Sequence, residues 1–256
     1  MRTQDFSNIL FNSLQYSGND RNNISDETFS QFRDFSSTAM REAWETVHWS
    51  DICRIVDFTT TIDPITQVGY FIPATEAGEI LGVYSRNPQS STKAVELEYS
   101  IYEDGSTKKI IINSNISTGS YLYRIQCPTL NGDLYNSSTI YYAGAQIYFD
   151  TGSGTGTYTP IAGKPHTGNF YTCIVNNTTA GQNPNTTPLA WSKIQIPYIF
   201  SAFMAWSSCA RWYVSESMMQ EAQIIDVKAK EILELEYDKF LHQQGQFGRI
   251  NMYKTY

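Results

Sequence analysis

The sequence predicts an α+β protein: a helical bundle of N-terminal and two C-terminal helices, with an inserted antiparallel β region and a small β module. Three observations predict it. Apolar residues recur three and four apart near both ends of the chain, and from about Cys53 to Thr129 they alternate with polar ones. From about Leu134 to Ile194 two strand-like runs and a long polar loop ending in Trp191 mark a separate small module between the alternating region and the last helices. The expected organisation is an N-terminal helical part over 1–52, an antiparallel β domain over 53–133 and a small module over 134–195. A helical part over 196–246 completes the bundle, and an extended tail follows over 247–256.

The first helix is expected from about Asp5 to Leu14, with Phe6, Ile9, Leu10 and Leu14 on one side. After a polar loop, a longer one runs through "SDETFSQFRDFSSTAMREAWETVHW". Its stripe is Phe29, Phe32, Ser36, Ala39, Ala43 and Val47, with Ser25 or Asp26 as cap and acids in the first turn, where the helix dipole favours them. The period then switches to two. "AVELEYSIYEDGSTKKIIINS" alternates on both sides of Asp104-Gly105, a hairpin signal, and "EILGVYSRNP" and "SYLYRIQCP" are further strands of one half-buried sheet. Glu96 and Glu98, two apart, read as a solvated strand face, since acid–base work needs a cleft and shifted pKa values as well.

In the module, "YYAGAQIYFD" and "NFYTCIV" are strands. Gly152, Gly154 and Gly156 between them mimic a phosphate-cradling loop, but no helix follows and no Lys-Ser/Thr pair closes it, so a hairpin insertion is expected. Pro197 opens "IPYIFSAFMAWSSCARWYVSE", a helix apolar nearly all round, striped by Ile199, Phe203, Trp206, Ala210 and Tyr213. Such a helix must be covered on more than one side. Ser217 with Gln220 forms a capping box for the last helix, whose stripe is Met218, Ala222, Ile225, Ala229, Ile232, Tyr237 and Leu241 and whose outer face is acidic.

Composition narrows the function. A 256-residue chain with 41% hydrophobic residues can build a core, and no stretch has the apolar length of a membrane span. Eighteen tyrosines favour β-structure and interaction surfaces, and a net charge of −7 argues against a protein that neutralises duplex phosphates. Cys53, Cys127, Cys173 and Cys209 lack metal-site spacing and read as isolated thiols of a reducing compartment. The N-terminus lacks a charged-then-apolar leader pattern, so secretion is not expected, and the sequons at Asn115, Asn176 and Asn185 then mark polar loops only. His48, His166 and His242 fall in different segments, and no nucleophile elbow, zinc-protease helix or dinucleotide fingerprint occurs. The expectation is a protein that is not an enzyme and needs no cofactor or metal.

The "REAWETVHW" helix end, the "GEILGVYSRNP" strand and the run from Trp191 to Gln246 ("WSKIQIPYIFSAFMAWSSCARWYVSESMMQEAQIIDVKAKEILELEYDKFLHQQGQ") together resemble head–tail connector (adaptor) proteins of tailed bacteriophages. In that group an Ile-Pro-x-x-Phe opening, a helix with Ala and Trp and a long helix ending Gln-Gln-Gly-Gln recur. The resemblance implies a homo-oligomeric ring, usually of twelve copies, under the portal protein at the virion neck. It implies assembly in the host cytoplasm, a tail or nozzle protein below, and a C-terminal tail that embraces portal subunits. On that reading Ile199, Phe203, Trp206 and Tyr213 are the subunit interface. Glu231, Glu234 and Asp238 line the conduit, through which DNA passes without specific binding. Phe247, Arg249, Ile250, Met252, Tyr253, Lys254 and Tyr256 form the portal-binding tail, with Phe247 and Tyr253 as buried anchors and Arg249 as the charged contact. For the acidic face, solubility is an equal alternative.

The module itself is similar to small carbohydrate-binding modules appended to chitinases, through Tyr142, Gly144, Tyr148, Tyr171, Cys173, Pro188 and Trp191. The resemblance makes Tyr142, Tyr148, Tyr171 and Trp191 candidate carbohydrate contacts, and makes a carbohydrate-binding adhesion or decoration protein the alternative function. Against it, a module of this size has few other bulky groups, so Trp191 and Tyr171 are expected to be its own core.

Overall fold

The computed structural model describes residues 2–20, 24–63, 68–105, 107–113, 116–151 and 168–252, and the protein is α+β as the sequence predicts. Strand β1 (Thr3–Gln4) precedes helices α1 (Phe6–Ser17) and α2 (Asp26–Thr46). Then come β2 (Cys53–Thr59), β3 (Thr61–Ile62), β4 (Gly69–Phe71), β5 (Ala77–Tyr84), β6 (Tyr99–Asp104), β7 (Thr107–Ile112) and β8 (Thr118–Ile125). The chain continues through β9 (Asp133–Leu134), β10 (Gln146–Asp150), β11 (Gly168–Cys173), β12 (Trp191–Lys193) and β13 (Ile196–Pro197) to helices α3 (Ser201–Ser215) and α4 (Met219–Met252). It divides into two compact units, one of Met1–Val47 with Pro128–Tyr256 and one of His48–Cys127.

In the first unit α3 is the central helix. Phe203, Met204, Ala205, Ser207, Ser208, Cys209 and Ala210 are all buried, and α1, α2 and α4 pack around it. The small residues let neighbours come close: Ser208 shares a buried 2.9 Å hydrogen bond with Ser36 of α2. Rings finish the packing. Trp212 stacks on Phe32 with centroids 5.2 Å apart, and Trp206 lies between Tyr16, stacked at 3.8 Å, and the Lys228 ammonium, 3.8 Å from its ring centre. Ser25 caps α2 by accepting from the Thr28 N–H at 3.1 Å. Val47 leaves the expected stripe, because α2 ends at Thr46 and Val47 is extended at φ −150°.

Residues 134–195 do not fold as a separate body. β10 and β11 pair antiparallel, β12 joins the far side of β11, and β9 adds a parallel edge to β10, giving the order β12-β11-β10-β9. One side of this sheet holds a core of Tyr135, Ile147, Phe149, Cys173, Ala190 and Trp191. Strand alternation sends Tyr148 and Phe170 the other way, into a ring cluster with Phe6 of α1 and Phe29 of α2. The sheet thereby shares a core with the helices, which is why the boundary expected near residue 133 is absent. The glycine-rich run at Gly152, Gly154 and Gly156 lies outside the described residues.

The capping box expected at Ser217 is not formed. The Met218 N–H donates to the Tyr213 carbonyl at 2.8 Å and the Ser217 N–H to the Val214 carbonyl at 3.0 Å, the paired bonds that close a helix C-terminus. Ser217 therefore belongs to the end of α3, in the left-handed region at φ +63°. After α1 the same motif uses Gly18 at φ +73°. An L-residue is strained in that region, so Ser217→Gly is expected to raise the unfolding free energy by roughly 0.5–1 kcal/mol, read from urea denaturation.

In the second unit the single sheet expected from the sequence is two sheets, ordered β2-β8-β5 and β3-β4-β7-β6. The isolated Tyr84–Glu96 bridge ties β5 of the first to the segment that leads into β6 of the second. Phe58, Ile80, Val83, Tyr121 and Tyr123 from the first meet Phe71, Ile110 and Ile112 from the second. The β6–β7 hairpin turns at Gly105, φ +62°, as the Asp-Gly pair predicts.

Two buried acids make stability fall in alkali. Burial, helped by the hydrogen bond to Glu76, pushes the Tyr123 phenol from its ordinary 10.0 to about 12, and burial pushes the Cys209 thiol from 9.0 to about 12. Both folded values lie above the unfolded ones, so the unfolded chain loses its protons first and unfolding becomes easier as pH rises. Denaturation midpoints are expected to stay level to about pH 9 and fall from there toward pH 12. Tyr123→Phe should flatten the fall in the second unit alone.

Candidate functional site

Helix α4 turns Ala222, Ala229 and Leu233 toward the bundle, and its opposite side carries Glu231, Glu234 and Asp238, all exposed. Spacings of three and four put these three acids on one face. The lysines of α4 do not neutralise them. Lys230 pairs with Asp226 at 2.6 Å, Lys239 pairs with Glu236 at 2.6 Å, and Lys228 sits on the Trp206 ring. Among the described residues Glu231, Glu234 and Asp238 make no ion pair. Like charges at this spacing cost a helix about 0.2–0.5 kcal/mol per pair, so this face is not arranged for stability.

Within one chain the residues expected as a subunit interface on and just before α3 are partly covered. Phe203 is 5% exposed and Ile199 is half-buried. Trp206 is held between Tyr16 and Lys228, and the half-buried Tyr213 donates its hydroxyl to the Tyr16 carbonyl at 3.4 Å. An apolar helix needs covering on several sides, and α1, α2 and α4 supply that cover here.

The candidate carbohydrate contacts separate in the same way. Tyr148 is fully buried, Trp191 is 5% exposed, and Tyr171 is half-buried with its ring edge against Phe149. Tyr148 and Trp191 cannot stack on a sugar without unfolding the sheet. Tyr142, 64% exposed, is the one exposed ring of the four. Among the described residues the Trp191 indole N–H has no hydrogen-bond partner, so Trp191→Phe forfeits packing only. That variant is expected to lose about 1–2 kcal/mol in chemical denaturation and to leave retention on any polysaccharide as it is in the parent.

The tail does not leave the helix at Gly245. α4 continues to Met252, so the backbone of Phe247, Arg249, Ile250 and Met252 is helical where an extended strip was expected. Gly245 costs an interior helical position about 1 kcal/mol but does not break it, having both its N–H and an allowed helical φ. The side chains of these residues, and Tyr253, Lys254 and Tyr256 altogether, lie outside the described residues.

Glu96 and Glu98 are exposed and lie in the segment that leads into β6, not within a strand. His48 and His242 are exposed, on different units. Among the described residues no group of three His, Cys, Asp or Glu side chains is placed to hold a metal ion, and no helix is long and apolar enough to cross a membrane. No family model matches this sequence, and no curated protein matches it.

Proposed function

We propose that the chain is a subunit of a virion head–tail connector, a ring that joins the portal to the tail and forms part of the DNA conduit. The observation that supports it most is the α4 face: Glu231, Glu234 and Asp238 stay exposed and unpaired while every lysine of the same helix between Met219 and Leu241 is engaged elsewhere. A conduit wall must not hold phosphates, and fixed carboxylates repel them at contact range while salt screens the effect beyond about 8–10 Å. In this reading twelve copies close the ring, residues 247–256 reach the portal above, and a tail or nozzle protein docks below. No cofactor or catalytic step is assigned. Phe203 is buried within each chain, so any contact between copies on this side runs through the half-buried Ile199, Trp206 and Tyr213. The alternative, a carbohydrate-binding adhesion or decoration protein, keeps Tyr142 as its one exposed ring of the four proposed.

The mass of the purified assembly tests the proposal. Native mass spectrometry is expected to give a closed particle of about twelve copies. A monomer or trimer at every concentration, in the presence of portal protein as well as alone, overturns it.

A further inference from the structure

The unit His48–Cys127 carries a polar concavity of about 470 Å³ where β2, β8 and the end of β5 come together. Register pairs Asp57 with Ser120 and Thr59 with Thr118. Alternation puts Phe58 into the core, so Asp57, Thr59, Thr118 and Ser120 share the opposite face of the sheet. The turn after β5, with Ser85, Arg86, Asn87 and Ser90, forms the wall.

Asp57 and Asn87 are held in place. Ser120, 1% exposed, donates to Asp57 Oδ1 at 2.5 Å and fixes the carboxylate. Asn87 Oδ1 accepts from the Gln89 N–H at 2.9 Å, which fixes the amide and leaves its NH₂ group free to donate. Arg86 lines the same space, yet it forms no ion pair with Asp57 or with any other described residue. Asp57 and Arg86 thus line one concavity without pairing, beside serines, threonines and Asn87.

We propose that this concavity binds an uncharged polyhydroxy ligand, a sugar unit, free or as part of a glycan. A hydroxyl group donates to Asp57 and accepts from Arg86, so neighbouring hydroxyls on one ring satisfy both charged groups without bringing a charge of their own. An anion meets the Asp57 carboxylate, and a cation meets the Arg86 guanidinium. The site is on the sheet unit, apart from the strands that resemble a carbohydrate-binding module, and it does not depend on the ring.

The test is a titration of the ¹⁵N-labelled full chain with neutral hexoses and their short oligomers. Inorganic phosphate, glycine and arginine serve as separate arms. Saturable shifts at residues 57–59, 85–90 and 118–120 with a millimolar Kd are expected for at least one sugar, along with a tenfold or greater loss in Asp57→Asn and in Arg86→Ala. Thermal stability of both variants should match the parent, because the amide that replaces the Asp57 carboxylate still accepts from Ser120 and Arg86 has no partner to lose. Tyr142→Ala should leave these shifts unchanged. Absence of shifts with every sugar at 50 mM overturns the proposal, as do tighter binding of phosphate, glycine or arginine and binding that survives both substitutions. A failed titration beside an intact ring counts against this site only, and a missing ring beside a successful one counts against the connector reading only.

Discussion

Phe170→Ala is expected to lower the unfolding free energy of the helical unit by about 3–5 kcal/mol while leaving the His48–Cys127 unit unchanged. Phe170 is fully buried, and its ring meets Phe6 edge-on at 4.7 Å and Tyr148 at 5.5 Å. Truncation opens a cavity bounded by two helices and a sheet, elements from distant parts of the chain that cannot all collapse into it. The loss should therefore reach α1 and α2 as well as the sheet. Denaturation followed by two probes, one in α2 and one in β10, should show both shifting together. If only the β10 probe shifts, the sheet has a core of its own and the ring cluster does not bind it to the helices. The isolated segment 134–195 should by the same logic fail to fold, because Tyr148 and Phe170 would then face water.

Changing Glu231, Glu234 and Asp238 together to lysine is expected to make the assembled particle retain random duplex DNA at least tenfold better than the parent at low salt. The change moves net charge from −7 to −1 per chain and places three cations on a face where the ordinary lysines are already occupied. Added cations bind phosphate with release of counterions, so the gain should fade steeply as salt rises. All three positions are exposed, so folding stability should change by less than about 1 kcal/mol and particle mass should not change. Equal DNA retention by parent and variant particles would show that this face points away from the conduit.

What was legible in the sequence was whatever local periodicity and turn chemistry decide. The α2 cap at Ser25, the Gly105 turn and the helices themselves follow from near neighbours. Partners distant in the chain were not legible. Ser217 precedes a plausible Gln220, and only the hydrogen bonds back to Tyr213 and Val214 reveal that it ends one helix instead of starting the next. The apolar girth of α3 correctly announced a helix covered on several sides, but sequence cannot say whether the cover comes from the same chain or another copy. Tyr148 and Trp191 look alike as aromatic strand residues, and they enter different cores because of what packs on each side of their sheet. The engagement of Lys228 with Trp206 joins two helices and has no local signal. The concavity between Asp57 and Arg86 is similarly invisible, since it is made by the meeting of β2, β8 and the turn after β5.

One unit is assembled from Met1–Val47 and Pro128–Tyr256, and the other is the single run His48–Cys127 between them. A ribosome delivers these in an order that does not match their packing. The inner run has all its strands as soon as β8 emerges and can close at once. Helices α1 and α2 are made before the inner run, yet Phe6 and Phe29 must wait for Tyr148 and Phe170, and Ser36 waits for Ser208. During that interval the apolar stripes of α1 and α2 stand without the cover that the folded unit gives them, whereas the inner run buries its own.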